Sequence, residues 1–113
     1  RVLFRSMQDL NFMKGNRSVF NLGIYGNRIR DVSPLRDNRT LTYLNIGKNL
    51  IEDFSPLIGN TSLIYLDTPF NITKDSKLTS YLHECAFMNK LNAYNRRTTL
   101  RFISHHLLEN QFL

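Results

Sequence analysis

The stretch Leu41-Thr42-Tyr43-Leu44-Asn45-Ile46-Gly47-Lys48-Asn49-Leu50-Ile51-Glu52-Asp53-Phe54-Ser55-Pro56-Leu57 decides the reading of this chain, because much of it occurs twice. Set under residues 19–40, residues 41–62 agree at Leu22 with Leu44, Ile24 with Ile46, Asn27 with Asn49, Ile29 with Ile51 and Asp31 with Asp53. The agreement continues at Ser33 with Ser55, Pro34 with Pro56, Leu35 with Leu57 and Asn38 with Asn60, nine identities in 22 columns. A fixed internal period of this length is the mark of a stacked-repeat architecture.

Outward from these two copies the pattern fades on both sides. A third copy opens at Leu63 and keeps Leu66, Asn71 and Asp75, but Thr68 and Thr73 stand where the apolar residues stood. Stepping back 22 residues puts Val2 in the column of Ile24, Arg5 in the asparagine column, Met7 under Ile29, Leu10 under Val32 and Met13 under Leu35. The expected organisation is a half copy at 1–18, full copies at 19–40 and 41–62, a partial copy at 63–75, and a separate C-terminal segment at 76–113.

Each column has a physical reason. Leu44 and Ile46 alternate with polar neighbours, the period of a short strand with one face inward. Equivalent strands stacked in parallel about 4.8 Å apart turn each apolar column into a continuous ribbon of core. The column Asn27, Asn49 and Asn71 follows each strand at a bend, where an amide can both donate to and accept from the backbone and a carboxylate could only accept. Asp53-Phe54-Ser55-Pro56-Leu57 reads as a single 3-10 or α turn, since 22 residues leave no room for a longer helix.

Leu22-x-Ile24-x-x-Asn27-x-Ile29-x-Asp31-x-Ser33-Pro34-Leu35, recurring at 44–57, resembles the leucine-rich repeat family. The copy length and the Asp-x-Ser-Pro-Leu segment are similar to the subclass found in protein phosphatase regulatory subunits and bacterial internalins. The resemblance covers roughly residues 2–75. It implies an α/β solenoid of short parallel strands with small turns on the convex side, and a curved sheet that binds another macromolecule. Arg96-Arg97-Thr98-Thr99-Leu100 is similar to the basic C-terminal helix of some leucine-rich repeat proteins of large DNA viruses, which implies a viral member.

From Asp75 the period becomes helical. Leu78, Tyr81, Leu82, Cys85, Met88, Leu91 and Tyr94 fall at steps of three and four, with Asp75 or Ser76 as the N-cap. A break is expected at Asn95-Arg96-Arg97, followed by a second helix carrying Leu100, Ile103 and Leu107. Residues 76–113 are read as a helical cap over the last apolar face of the stack.

Candidate function follows from what the strands leave facing outward: Gly23, Tyr25, Asn45, Gly47, Asp67 and Pro69, flanked by Asn21, Tyr43 and Tyr65. Tyr43 and Tyr65 share a column and should sit within stacking distance. With Lys48 nearby, the expected partner-binding face comprises Tyr25, Tyr43, Tyr65, Asn45, Lys48 and Asp67, since large rigid aromatics supply much of a protein hot spot.

The other chemistries are weaker. His83 and Cys85 are two apart on a helix and project to different sides, so they form no nucleophile-base pair. His105, His106 and Glu109 offer an i, i+3 pair without a zinc-protease pattern, and a solvated helix face is the simpler reading. No enzyme activity, cofactor or metal is expected. Asn16, Asn38, Asn60 and Asn71 open the glycosylation pattern, but the first three are one period apart, so a repeated turn explains them.

The net charge of +6 is spread evenly. Residues 1–76 hold ten basic and seven acidic residues and 77–113 five and two, so each part contributes +3. Arg28, Arg30, Arg36 and Arg39 cluster within one copy on bends rather than on the strand. The 42% apolar composition and a single cysteine exclude the disulfide-rich class, and no apolar run is long enough for a membrane span.

The expected function is therefore a non-catalytic protein-protein interaction module, placed inside the cell in cytoplasm or nucleus because Arg1-Val2-Leu3-Phe4-Arg5 is no signal peptide. The alternatives are a structural C-terminal segment of a longer array, self-association through the uncapped N-terminal edge, and, last, a basic surface for nucleic acid.

Overall fold

A computed structural model describes the backbone of residues 2–3 and 6–110 and the side chains of residues 6–97. It is a small α/β domain. Four short strands, β1 (Val2–Leu3), β2 (Asn21–Gly23), β3 (Tyr43–Asn45) and β4 (Tyr65–Asp67), form an open parallel sheet in chain order. The 3-10 turns Asn11–Met13, Ser33–Leu35 and Ser55–Leu57 separate them, and one helix, α1 (Ser76–Asn110), closes the chain.

The register is the period itself. Leu22 pairs with Leu44 and Leu44 with Leu66, each 22 residues on. The same alternation buries Ile24 beside Ile46, while Ile29 and Ile51, Val32 and Phe54, and Leu35 and Leu57 form further columns of one core. Each column is a ribbon of apolar side chains shielded by its neighbours above and below. Truncating one of the fully buried leucines costs about 2–5 kcal/mol, so the columns are the main source of stability.

Two sets of asparagines satisfy the backbone at the corners. Asn27 Oδ1 accepts the Met7 N–H at 2.6 Å, Asn49 Oδ1 accepts Ile29 N–H at 3.0 Å, and Asn71 Oδ1 accepts Ile51 N–H at 3.1 Å. On its other side Asn49 Nδ2 donates to the carbonyls of Ile24, Ile46 and Gly47, all within 3.1 Å. Every amide therefore uses both of its polar ends, which is the work the sequence pattern assigns to asparagine rather than aspartate.

The second set comprises Asn16, Asn38 and Asn60. Asn38 Oδ1 accepts from the N–H groups of Thr40 and Leu41, and Asn60 Oδ1 from Ser62 and Leu63. Asn38 Nδ2 donates to the Asn16 carbonyl at 3.2 Å and Asn60 Nδ2 to the Asn38 carbonyl at 2.9 Å. The amide nitrogens of Asn38 and Asn60 are thus spent on stacking neighbouring segments.

Asp31 and Asp53 organise the entries to the 3-10 turns. Each carboxylate accepts the backbone N–H of the serine two residues on at 2.8 Å and its hydroxyl at 2.8–2.9 Å. These bonds favour the charged form, so both carboxyl groups titrate below their ordinary range.

Two expectations fail. Val2 pairs with Leu22, not with Ile24, so β1 is shifted by two residues from the 22-residue step. Met7 nevertheless sits one full period before Ile29, as its bond to Asn27 shows. The contraction lies between Ser6 and Met7. Ser6 has the positive φ, 61°, that Gly26, Lys48 and Phe70 have at the ends of the later strands, and the asparagine and its follower are missing after it. Arg5, expected in the asparagine column, lies outside the described residues.

The helical tail is also different from its reading, since Asn95-Arg96-Arg97 lies inside one 35-residue helix. No glycine or proline occurs between 76 and 110, and arginine is a good helix former, so nothing there stops propagation. Asp75 is the N-cap, accepting the Leu78 N–H at 2.9 Å. Leu82 and Ala86 enter the core with Leu78 packed beside them, which covers the Leu66 end of the stack. Tyr81, Phe87, Met88, Leu91 and Tyr94, several of them expected on the packed stripe, are instead exposed on the other side of α1.

Candidate functional site: the exposed sheet face

Because alternate residues of a strand point to opposite faces, the residues between the buried columns form a grid on the open face of the sheet. Its first row is Asn21, Tyr43 and Tyr65, its second Gly23, Asn45 and Asp67, as the strand pairing aligns them. The ladder continues beyond the strands through Gly26 N–H to the Gly47 carbonyl and Lys48 N–H to the Pro69 carbonyl. Tyr25, Gly47 and Pro69 therefore make a third row.

In the first row the rings of Tyr43 and Tyr65 are stacked, with centroids 4.3 Å apart and planes 2° from parallel. A face-to-face pair is held in place by the strand spacing below it, since neighbouring strands are about 4.8 Å apart. Tyr65 is exposed and Tyr43 half-buried. Partial desolvation, then the charge of Asp67 and the neighbouring Tyr43, pushes the Tyr65 phenol above its ordinary range. It stays a neutral hydrogen-bond donor at physiological pH. Asn21 ends the row with a buried Oδ1 that has no hydrogen-bond partner among the described residues.

The second row is polar and low. Asn45 Oδ1 accepts the Gly47 N–H at 3.2 Å, and both Asn45 and Asp67 are half-buried. In the third row the Tyr25 ring lies across Gly47: a Cβ on Gly47 would stand 2.9 Å from Tyr25 Cδ2. Gly47 is buried for this reason, and Tyr25 itself stays 47% exposed. The result is a shallow polar floor between two aromatic banks.

Lys48 stands at the corner beyond the third row, exposed, with φ 50°. The left-handed conformation is costly for a residue with a side chain and is normally left to glycine, which occupies the equivalent position Gly26. Among the candidate residues, the sheet brings Tyr43, Tyr65, Asn45 and Asp67 together and sets Tyr25 across the floor from the stack, with Lys48 at the rim. Asn27, Asn49 and Asn71 are on none of these rows, being committed to the corners.

The cover that Tyr25 gives Gly47 escapes sequence reasoning, although a glycine opposite a tyrosine in adjacent copies is the signal for it. On α1, His83 Nε2 lies 3.1 Å from Thr68 Oγ1, so the threonine that replaces the apolar residue of the third copy is paired with the cap. Cys85 is free and half-buried, and its thiol pushes the nearby Tyr81 phenol above its ordinary range. Among the described residues no cluster of three or more His, Cys, Asp or Glu could hold a metal ion. The side chains of His105, His106 and Glu109 lie outside the described residues. No protein-family model matches this chain, and no curated protein matches it significantly.

Proposed function

We propose that the chain is a short leucine-rich repeat solenoid with a helical cap, and that it is a non-catalytic module binding a protein partner on the exposed sheet face. The observation that carries the reading is the stacked Tyr43–Tyr65 pair presented on that face. Two aromatic rings held parallel by the sheet lose little conformational freedom when a partner covers them, which is the property of a hot-spot anchor.

Asn45 and Asp67 add unfilled hydrogen-bonding capacity on the floor, and Tyr25 supplies the opposite bank. Among the described residues, His83 is tied to Thr68 and Cys85 sits near Tyr81. Among the described residues no helix is long and apolar enough to cross a membrane.

The test is affinity capture from native extract with the wild-type chain and with a Tyr43→Ala/Tyr65→Ala double variant, alongside thermal melting of both. The reading requires that a protein retained by the wild type be lost by the double variant while both melt cooperatively within a few degrees of each other. Equal capture by the two proteins removes the sheet face from consideration.

A further inference from the structure

The seam between the first two copies holds a second feature that the sheet face does not use. An open cleft of 540 Å³ lies where the segment after each 3-10 turn runs back toward the sheet, and Arg17, Arg36 and Arg39 all line it. It is open to solvent, and Arg17, Arg36 and Arg39 are all exposed.

The cations are placed there by the period. Arg17 and Arg39 are equivalent residues of adjacent copies, as are Lys14 and Arg36. Each arginine directly follows an asparagine of the stacking ladder, and the bond from Asn38 Nδ2 to the Asn16 carbonyl, 3.2 Å, holds the two segments side by side. The backbone atoms that carry Arg17 and Arg39 are thus about one strand spacing apart, roughly 5 Å. Like charges on neighbouring strands repel, so the arrangement costs stability when nothing lies between them.

In the next copy the same columns carry Ile58 and Thr61, and the cationic pairing ends. One carboxylate, Asp37, shares the cleft with the three guanidinium groups. Arg17 and Arg39 are the one pair of equivalent arginines of which both members line the cleft. Arg39 Nη1 donates at 3.1 Å to the Asn38 carbonyl, which also accepts Asn60 Nδ2, so one end of its guanidinium is anchored at the next seam while its side chain lines the cleft, and among the described residues no other hydrogen bond holds its remaining donors.

We propose that this cleft binds a group carrying two adjacent phosphates, with Arg17 and Arg39 each taking one. Guanidinium presents parallel N–H donors that match phosphate oxygens two at a time, and two of them side by side match a pyrophosphate better than a single phosphate. The same chemistry is offered by a soluble diphosphate and by a lipid headgroup with neighbouring phosphates.

The wild-type chain is titrated with inorganic pyrophosphate and with inorganic phosphate by calorimetry at low salt. The same titrations use Arg17→Gln/Arg39→Gln and, as a charge-matched control away from the cleft, Arg28→Gln/Arg30→Gln. Pyrophosphate should bind at least tenfold more tightly than phosphate, and the Arg17/Arg39 variant should lose at least tenfold while the control loses less than threefold. Co-sedimentation with vesicles carrying an inositol bisphosphate lipid, against phosphatidylserine vesicles, assigns the source. Retention that requires Arg17 and Arg39 points to the headgroup, and no retention with pyrophosphate binding intact points to a soluble diphosphate. The proposal is overturned by absence of pyrophosphate binding at millimolar concentration or by equal losses in both double variants. Displacement of pyrophosphate by a single-stranded oligonucleotide, with an affinity that falls by orders of magnitude between low and physiological salt, also overturns it in favour of nucleic acid.

Discussion

Tyr25 covers Gly47, with Cδ2 of the ring only 2.9 Å from where a Cβ on Gly47 would stand. The glycine belongs to one copy and the tyrosine to the copy before it, so the third row of the sheet face is shaped by an absent side chain.

Gly47→Ala therefore tests the face without removing any of its functional groups. The new methyl would also meet the Pro69 carbonyl at 3.1 Å, a backbone atom that cannot swing away, so the Tyr25 ring must give. The expected cost is about 1 kcal/mol, and the Tyr25 ring resonances should shift while those of the Tyr43–Tyr65 stack stay in place. A variant whose Tyr25 signals are unchanged would mean that the ring does not rest on Gly47 in solution.

Asn49 is 4% exposed and joins Ile29 to Ile24, Ile46 and Gly47. Asn49→Leu leaves the Ile29 N–H buried without a partner, while the carbonyls of Ile24, Ile46 and Gly47 keep their bonds from Asn27, Asn71 and Gly26, so a loss of about 1–3 kcal/mol is expected in urea unfolding. Asn49→Asp keeps an acceptor for Ile29 but turns a carboxylate toward three carbonyl oxygens, and should be no better. A loss below 1 kcal/mol for both would show that the corners do not hold the copies together.

Gly26 and Lys48 occupy equivalent strand ends with φ of 77° and 50°. No atom lies within 4 Å of a Cβ on Gly26, so Gly26→Ala should cost only the backbone penalty, about 1 kcal/mol. Lys48→Gly relieves the same penalty but frees the unfolded chain, so the two effects nearly cancel and the stability should change by less than about 0.5 kcal/mol. Chemical denaturation of the two variants reads the contrast directly.

Acid sensitivity should come in part from Asp31 and Asp53. Their folded-state carboxyls titrate below the ordinary value because Ser33 and Ser55 donate to them through backbone N–H and hydroxyl. The stabilisation is then complete above the unfolded value of about 3.9 and is lost as pH falls through the lower folded-state value. Both side chains are exposed, so the contribution is modest. Melting temperature should fall more steeply between pH 5 and 3 in the wild type than in Asp31→Asn/Asp53→Asn. Parallel curves would exclude these groups.

The mixed α/β character and the 22-residue strand register were legible because identical residues must meet when equivalent strands pair, as Leu22, Leu44 and Leu66 do. The neighbouring tyrosines followed from the same register. The shift of β1 was not legible, since Ser6 and Met7 give no sign that two residues are missing between them. Continuity of α1 was misread because Asn95-Arg96-Arg97 is polar, and polarity alone does not end a helix. The apolar residues of α1 were assigned to one stripe when they lie on two, with Leu82 and Ala86 packed and Phe87, Met88 and Tyr94 open. The glycine under Tyr25 needed three dimensions.

The two asparagine ladders make each unit hand its polar groups to the unit before it, the corner ladder at three seams and the second ladder at the first two. Such a chain is lengthened most simply in whole steps. Duplicating residues 41–62 in tandem would slot a new rung between existing ones and leave both flanking junctions chemically unchanged, whereas inserting one residue within a strand would turn the side chains after it to the other face until a bend took up the change. Growth by gene-segment duplication is thus built into the molecule, while a smaller change of length has to be taken up at a bend, as it is between Ser6 and Met7.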